Sequence, residues 1–134
     1  MKALAALITI SSFAHLGLCD GPTAVAAVYP PPYLPNKCYG SRQVDIPGTQ
    51  MFAAVGLALW DNGAACGRWY ELRCLSAQGA GSKCIGPHIK VKIIEGKVGS
   101  RSPTFSLSQT AGRAFYTGTG LVNIEYMEVK GQGQ

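Results

Sequence analysis

The sequence has few of the side chains that hold metal ions. Two of its 134 residues are histidine, seven are acidic, and its five cysteines include no Cys-x-x-Cys pair. Structural zinc sites use four cysteine or histidine ligands, often in such closely spaced pairs, so these counts argue against a zinc site. We therefore expect no metal and no other cofactor.

A long apolar run occurs in one place, the N-terminus. Residues 1–19 begin with Lys2 in a charged start and continue as apolar sequence to Leu18. This pattern is typical of a secretory signal peptide, and an N-terminal core helix is the alternative. No later stretch approaches the roughly 20 apolar residues of a membrane-spanning helix. The sequence predicts a secreted, extracellular or apoplastic protein without a transmembrane segment, with one domain over 20–130 and a disordered tail over 131–134.

Positive charge is modest and scattered. The net charge is +5, and the densest basic cluster is Lys90, Lys92, Lys97 and Arg101. Such a cluster is either a solvated strand and loop or a surface that attracts acidic wall polymers, anionic lipid heads or nucleic acid. Basic and aromatic residues do not interleave as they do in nucleic-acid-binding proteins, so we expect no nucleic-acid partner.

Removal of residues 1–19 would leave four cysteines, Cys38, Cys66, Cys74 and Cys84. An even number in a secreted domain of this size implies two disulfides, for which three connectivities are possible. A bridge between Cys74 and Cys84 would close a short local loop, and one between Cys38 and Cys66 a longer loop.

The remaining pattern favours a mainly β protein. Alternating or β-branched stretches predict strands over residues 23–29, 68–75, 88–94 and 121–129. Helical spacing predicts a short helix over 49–63, and Ser106 and Ser108 are candidate caps for a second helix that ends near 116. Five or six short strands with glycine-rich turns and one or two short helices are typical of a small closed barrel.

Seven motifs occur in order between Thr23 and Val129: Tyr29-Pro-Pro-Pro-Tyr33, Cys38-Tyr39-Gly40, Ala58-Leu-Trp-Asp-Asn-Gly-Ala-Ala-Cys-Gly67, Arg73-Cys74, Val91-Lys-Ile-Ile94, Leu107-Ser-Gln109 and Asn123-Ile-Glu-Tyr126. In these motifs the chain resembles plant natriuretic peptides and expansin-like proteins, which are related to barwin and to family-45 endoglucanases. The resemblance implies a six-stranded double-psi β-barrel. It also implies the disulfide pairs Cys38–Cys66 and Cys74–Cys84.

The chain departs from these relatives where they carry their groove residues. Glu95 stands where expansins and the related hydrolases carry an aspartate, Ala27 replaces a groove threonine, and Ser106 replaces a frequent acidic residue. Glycoside hydrolysis by the usual route needs two carboxylates. Glu95 is the one acidic residue at a family active position, so we expect no enzyme activity and name no catalytic residue.

Six residues are candidates for ligand contact. Three tyrosines flank the prolines and would form either an aromatic strip or a structural cap of the barrel. Trp69 lies on the polar face of its strand, and Arg68 follows Cys66-Gly67, where a disulfide would hold the backbone. Glu95 is a groove residue by resemblance, and a solvated loop carboxylate is the alternative. The six are Tyr29, Tyr33, Tyr39, Arg68, Trp69 and Glu95.

Two functions follow from the resemblance. The first is a secreted, monomeric, natriuretic-peptide-like signalling or effector protein that acts on water and ion balance through a membrane receptor. The alternative is a non-hydrolytic cell-wall polysaccharide-binding or loosening protein of the expansin type. Tyr29, Trp69 and Glu95 along one open groove would favour ligand binding there, and their burial or separation would favour signalling.

Overall fold

The computed structural model describes residues 21–130, so the predicted signal peptide (1–19) and tail (131–134) lie outside the described residues. Six strands and two short α-helices form the fold. In chain order they are β1 (Thr23–Val28), β2 (Phe52–Val55), α1 (Leu57–Trp60), β3 (Trp69–Ala77), β4 (His88–Gly96), β5 (Phe105–Leu107), α2 (Gln109–Phe115) and β6 (Val122–Val129). Two 3₁₀ turns cover Gln43–Asp45 and Asp61–Gly63.

The strands close into a barrel in the order β1-β5-β2-β4-β3-β6. The pairs β1/β5 and β2/β4 are parallel, and the other pairs are antiparallel. Closure leaves no strand edge unpaired, which protects a small β protein from edge-to-edge association. The prediction of a mainly β, six-stranded double-psi barrel is confirmed.

Side-chain alternation builds the core inside the barrel. On β4 the buried residues Ile89, Val91 and Ile93 alternate with the more exposed Lys90 and Lys92, as expected for a strand with one face toward the core. The predicted alternation of β3 is confirmed in the same way: its inward residues at 70 and 72 are buried.

A second, smaller cluster lies outside the barrel. It contains the buried Ile46, Phe52 and Ile94, with Tyr33, Leu34 and Tyr39 packed against them, and is called here the outer cluster. Residues 33–46, the covering segment, lie over β2 and β4 and supply four of its six members. These two strands therefore carry apolar side chains on both faces.

The predicted helix over 49–63 is wrong in its first half. Phe52–Val55 form strand β2, with all four residues buried, and α1 has just one turn. A strand that is covered on both faces has a continuous apolar sequence, which periodicity does not distinguish from a buried helix. The turn after α1 is left-handed at Asp61 and Asn62, both with φ of 53°.

The second helix is capped by one of the two predicted serines. Ser108 precedes α2, and its Oγ accepts a hydrogen bond from the Ala111 N–H at 3.1 Å and donates one to the Gln50 carbonyl at 2.7 Å. The prediction that Ser106 caps a helix is wrong, because Ser106 lies within β5 and is bonded into the sheet.

The structure contains both disulfides that the resemblance implied. Cys38–Cys66 joins the covering segment to the loop after α1, and Cys74–Cys84 joins β3 to the loop before β4. Within residues 21–130, no helix is long and apolar enough to cross a membrane.

Candidate functional site

Strand register brings four family-relevant positions into one line on the outer surface of the barrel. Ala27 of β1 pairs with Ser106 of β5, Ser106 pairs with Ala54 of β2, and Ala54 pairs with Glu95 of β4. The four residues are called here the cross-strand row. Neighbouring residues on these strands, such as Ala26, face the core, so the row faces outward. Ala27 and Glu95, at the two ends of the row, are partly exposed, whereas Ser106 (4%) and Ala54 (0%) between them are buried.

The carboxylate of Glu95 is held by backbone donors. Its Oε1 accepts hydrogen bonds from the Lys37 N–H at 2.9 Å and from the Gly96 N–H at 3.1 Å. A register shift between Ala53 and Ala54 makes Ile94 the extra residue on β4. This bulge places Ile94 in the outer cluster and leaves Glu95 at the end of the row.

Tyr29 lies beside the row, directly after β1. Its side chain is 7% exposed, and its hydroxyl has no hydrogen-bond partner among the described residues. The Lys97 ammonium lies over its ring, 5.1 Å from the centroid. Burial, and then the charge of Glu95, raise the pKa of the Tyr29 phenol. The hydroxyl is therefore a neutral donor at physiological pH.

Tyr33 and Tyr39 do not form an exposed strip with Tyr29. The Tyr33 hydroxyl donates to the Tyr29 carbonyl at 2.9 Å and accepts from the Gln109 N–H at 3.0 Å. The Tyr39 ring packs in the outer cluster, with the Lys92 ammonium 4.9 Å from its centroid. In these contacts both side chains hold the covering segment on the barrel, and their contact with a ligand stays a prediction.

Trp69 lies apart from Tyr29 and Glu95. It pairs with Lys92 on β4 and lines a separate cavity of about 230 Å³ together with residues 44–49. On the outer face of β4, Ile94 and the outer cluster lie between Lys92 and Glu95. Tyr29, Trp69 and Glu95 therefore do not line one open groove, and this separation, taken alone, favours signalling. Tyr29 and Glu95 do lie together.

Arg68 is bound to the loop after α1. Its guanidinium lies 2.8 Å from the Asp61 carboxylate and 4.0 Å from that of Glu128. Together with residues 57–62 it lines a cavity of about 340 Å³. Arg68 is thus outside the cross-strand row, and its ligand contact also stays a prediction.

The other carboxylates with ion-pair partners lie elsewhere. Asp45 pairs with Arg42 at 2.9 Å, and Glu71 with His88 at 3.2 Å. Glu125 lies on β6, where the register places it beside β1 and β3. Among residues 21–130, no second carboxylate belongs to the cross-strand row, and no group of three histidine, cysteine or acidic residues could hold a metal ion.

Sequence reasoning named Glu95, Tyr29, Ala27 and Ser106 but missed Ala54 and Lys97 as parts of one surface. The sequence pattern places Ala54 in the predicted helix over 49–63 and Lys97 in the basic cluster with Lys90, Lys92 and Arg101. The signal for Lys97 was its position two residues after Glu95, at the end of β4.

Comparison with known proteins identifies the family. No protein-family model matches the chain. An EG45-like domain containing protein of Citrus jambhiri is 33% identical over 108 residues, which cover 79% of this chain and 76% of that protein. The chain belongs to the EG45-like domain proteins. EG45-like domain containing protein 2 of Arabidopsis thaliana is 35% identical over 71 residues, which cover 52% of this chain and 51% of that protein.

Two solved structures similar to this EG45-like protein are of one expansin. The apo-expansin of Clavibacter michiganensis superposes with a TM-score of 0.62 at 19% identity, covering 86% of this chain and 53% of the expansin. A mutant of that expansin, solved in complex with cellohexaose, gives a TM-score of 0.63. At this identity the likeness establishes the shared barrel fold. The EG45-like chain spans about half the length of those expansin chains.

Proposed function

We propose that this EG45-like protein is secreted and binds cell-wall polysaccharide along the cross-strand row without hydrolysing it. The observation that carries the proposal is the row itself, whose partly exposed ends are Ala27 and the Glu95 carboxylate, with the exposed Lys97 ammonium over the neighbouring Tyr29 ring. The expansin with the same fold, solved with cellohexaose, supports a saccharide ligand. Two disulfides are consistent with an oxidising, extracellular compartment.

Binding without hydrolysis follows from the carboxylates. The usual glycosidase mechanism needs an acid and a second carboxylate, about 5 to 9.5 Å apart across the scissile bond. In the described chain, Glu95 has no such partner in the row. We expect reducing-sugar release at background level for both the wild type and Glu95→Gln. Release by the wild type that disappears in Glu95→Gln would restore the hydrolase interpretation.

A pair of matched variants tests the binding surface. Ala27→Phe puts a large ring into the row, whereas Val25→Phe puts the same ring on the outward face of the same strand, two residues away. In pull-downs on insoluble cellulose, chitin and pectin, we expect Ala27→Phe to lose binding and Val25→Phe to retain it. Thermal unfolding of both variants controls for folding. Equal binding by the two folded variants would show that the row is not the binding surface.

Natriuretic-peptide-like signalling is the second candidate. Its support is the region closed by Cys38–Cys66, which exposes Val44 by 81% and Leu57 by 68%. A peptide spanning residues 33–73 should then change cell volume in a swelling assay, and Val44→Ser with Leu57→Ser should reduce the response. An inactive peptide beside an active full-length protein would contradict this candidate. Gel filtration tests the expected monomer.

A further inference from the structure

We propose that the polysaccharide is anionic, a polymer of uronic acids, and that Lys97 selects it. This inference rests on the proposed function and concerns the same surface. Three observations lead to it: the lack of an exposed aromatic face at the row, the charges at its margin, and the further contact that the exposed Lys97 ammonium can make.

The cross-strand row offers no flat aromatic surface to a neutral sugar. The row itself consists of small residues and Glu95. Tyr29, the aromatic residue beside it, is 7% exposed, and the Lys97 ammonium covers its ring. Trp69 lies in its own cavity beyond the outer cluster. A neutral glucan that binds through the faces of its rings needs accessible aromatic side chains, and the row does not supply one.

Exposed cations lie around the same end of the row. Lys97 follows β4 directly, and its N–H donates to the Val55 carbonyl at 2.9 Å, which anchors its backbone against β2. Arg101 lies in the loop that runs from Lys97 to β5, and Lys37 contacts Glu95 through its backbone N–H. All three side chains are on exposed residues. Positive charge at the margin attracts polyanions and raises their local concentration.

The charge of Glu95 does not cancel this attraction. One of its oxygens is occupied by two backbone donors, at 2.9 and 3.1 Å. The other three members of the row, Ala27, Ala54 and Ser106, are uncharged. The row thus holds one carboxylate, with the Lys97 ammonium beside it and two further exposed basic residues, Lys37 and Arg101, on the adjoining segments.

The exposed Lys97 ammonium can make one more contact. The Lys97 ammonium has a tyrosine ring as its partner, a weak interaction at an exposed position. A uronate carboxylate would give it a charge-assisted hydrogen bond, which is stronger. The Tyr29 hydroxyl is buried and does not reach the surface, so the recognition rests on the Lys97 ammonium. Carboxylate recognition by an exposed ammonium fits a polyuronide such as de-esterified pectin.

Binding to polygalacturonate tests the inference. We expect the protein to bind polygalacturonate more tightly than highly methyl-esterified pectin or amorphous cellulose, with affinity falling as salt is raised. Lys97→Gln should weaken polygalacturonate binding about fivefold, the effect of one ion pair at an exposed site. Lys83→Gln, which makes the same charge change in the loop next to Cys84, should alter binding less than about twofold.

Each other outcome overturns a definite part of the argument. Equal losses in Lys97→Gln and Lys83→Gln, or equally tight binding of poly-L-glutamate, would mean attraction by net charge alone and would overturn the inference. Preference for cellulose with no effect of Lys97→Gln would also overturn it but leave the proposed function standing. Failure to bind any of the polysaccharides would overturn the proposed function as well.

Discussion

The two disulfides close loops that differ in what they support. Cys38–Cys66 spans 28 positions, and the residues around Cys38 reach β4: the Lys37 N–H bonds to Glu95, and the Cys38 N–H to the Ile94 carbonyl at 3.3 Å. Cys74–Cys84 spans ten positions and joins β3 to the loop before β4. The first disulfide therefore helps to shape the candidate site, whereas the second stabilises a hairpin loop.

The sharpest test of this comparison removes each disulfide in turn. We expect Cys38→Ser with Cys66→Ser to lower the free energy of unfolding by about 4 kcal/mol, and Cys74→Ser with Cys84→Ser to lower it by about 3 kcal/mol, since the longer loop restricts the unfolded chain more. Urea unfolding at 25 °C measures both. Polysaccharide binding at temperatures where each variant is folded should fall for the first pair and persist for the second. Equal binding by the two would break the comparison.

The Trp60 ring, in the helix before Cys66, packs against Gly96 at the end of β4. A Cβ at Gly96 would lie 2.5 to 2.8 Å from three atoms of the Trp60 ring. Gly96→Ala should therefore cost about 1–3 kcal/mol through overpacking and should reduce binding at the adjacent Glu95. Gly48→Ala is the control, since a Cβ there meets no atom within 4 Å. Thermal unfolding of the two variants gives the difference, and similar stabilities would contradict the packing argument.

Two tyrosine-to-phenylalanine variants, Tyr33→Phe in the covering segment and Tyr116→Phe at the end of α2, test single hydrogen bonds in the two regions. Tyr33→Phe leaves the Tyr29 carbonyl and the Gln109 N–H without this partner, and we expect a cost of about 1–2 kcal/mol. Tyr116→Phe removes one bond, to the carbonyl of the exposed Gly120. Water can replace that bond, so the cost should be about 0.5–1 kcal/mol. A larger loss in Tyr116→Phe, in denaturant unfolding of both, would reverse the comparison.

Of these variants, Tyr29→Phe should change the free energy of unfolding least at neutral pH, because the hydroxyl it removes has no hydrogen-bond partner among the described residues. At alkaline pH the variant should differ from the wild type. The pKa of Tyr29 is raised in the folded protein by burial and by Glu95, so above about pH 10 the unfolded chain loses this proton first and the wild type loses stability. The slope of unfolding free energy against pH between pH 9 and 11 should be shallower in Tyr29→Phe. Identical slopes would contradict the burial of this group.

Several parts of the fold could be predicted from local pattern. Residues 88–94 alternate clearly between apolar and basic side chains, and β4 occurs there. Phe52–Val55 could not be assigned in the same way: the outer cluster covers the face that would otherwise be polar, so no alternation remains to be read. For the same reason, the tyrosines of the covering segment read equally well as ligand contacts or as packing.

The sequence by itself determined the barrel class and the number of cysteines available for pairing in residues 21–130. It also determined the lack of a second carboxylate at the family's active positions. These features depend on residue type and local order. Tertiary structure decided which candidates share a surface. Ala27, Ala54, Glu95 and Ser106 lie far apart in the chain and meet through strand register alone. Trp69 and Glu95 were both candidates for ligand contact, but they are separated, since the outer cluster packs between them on β4. Such contacts arise from long-range pairing, which local sequence does not encode.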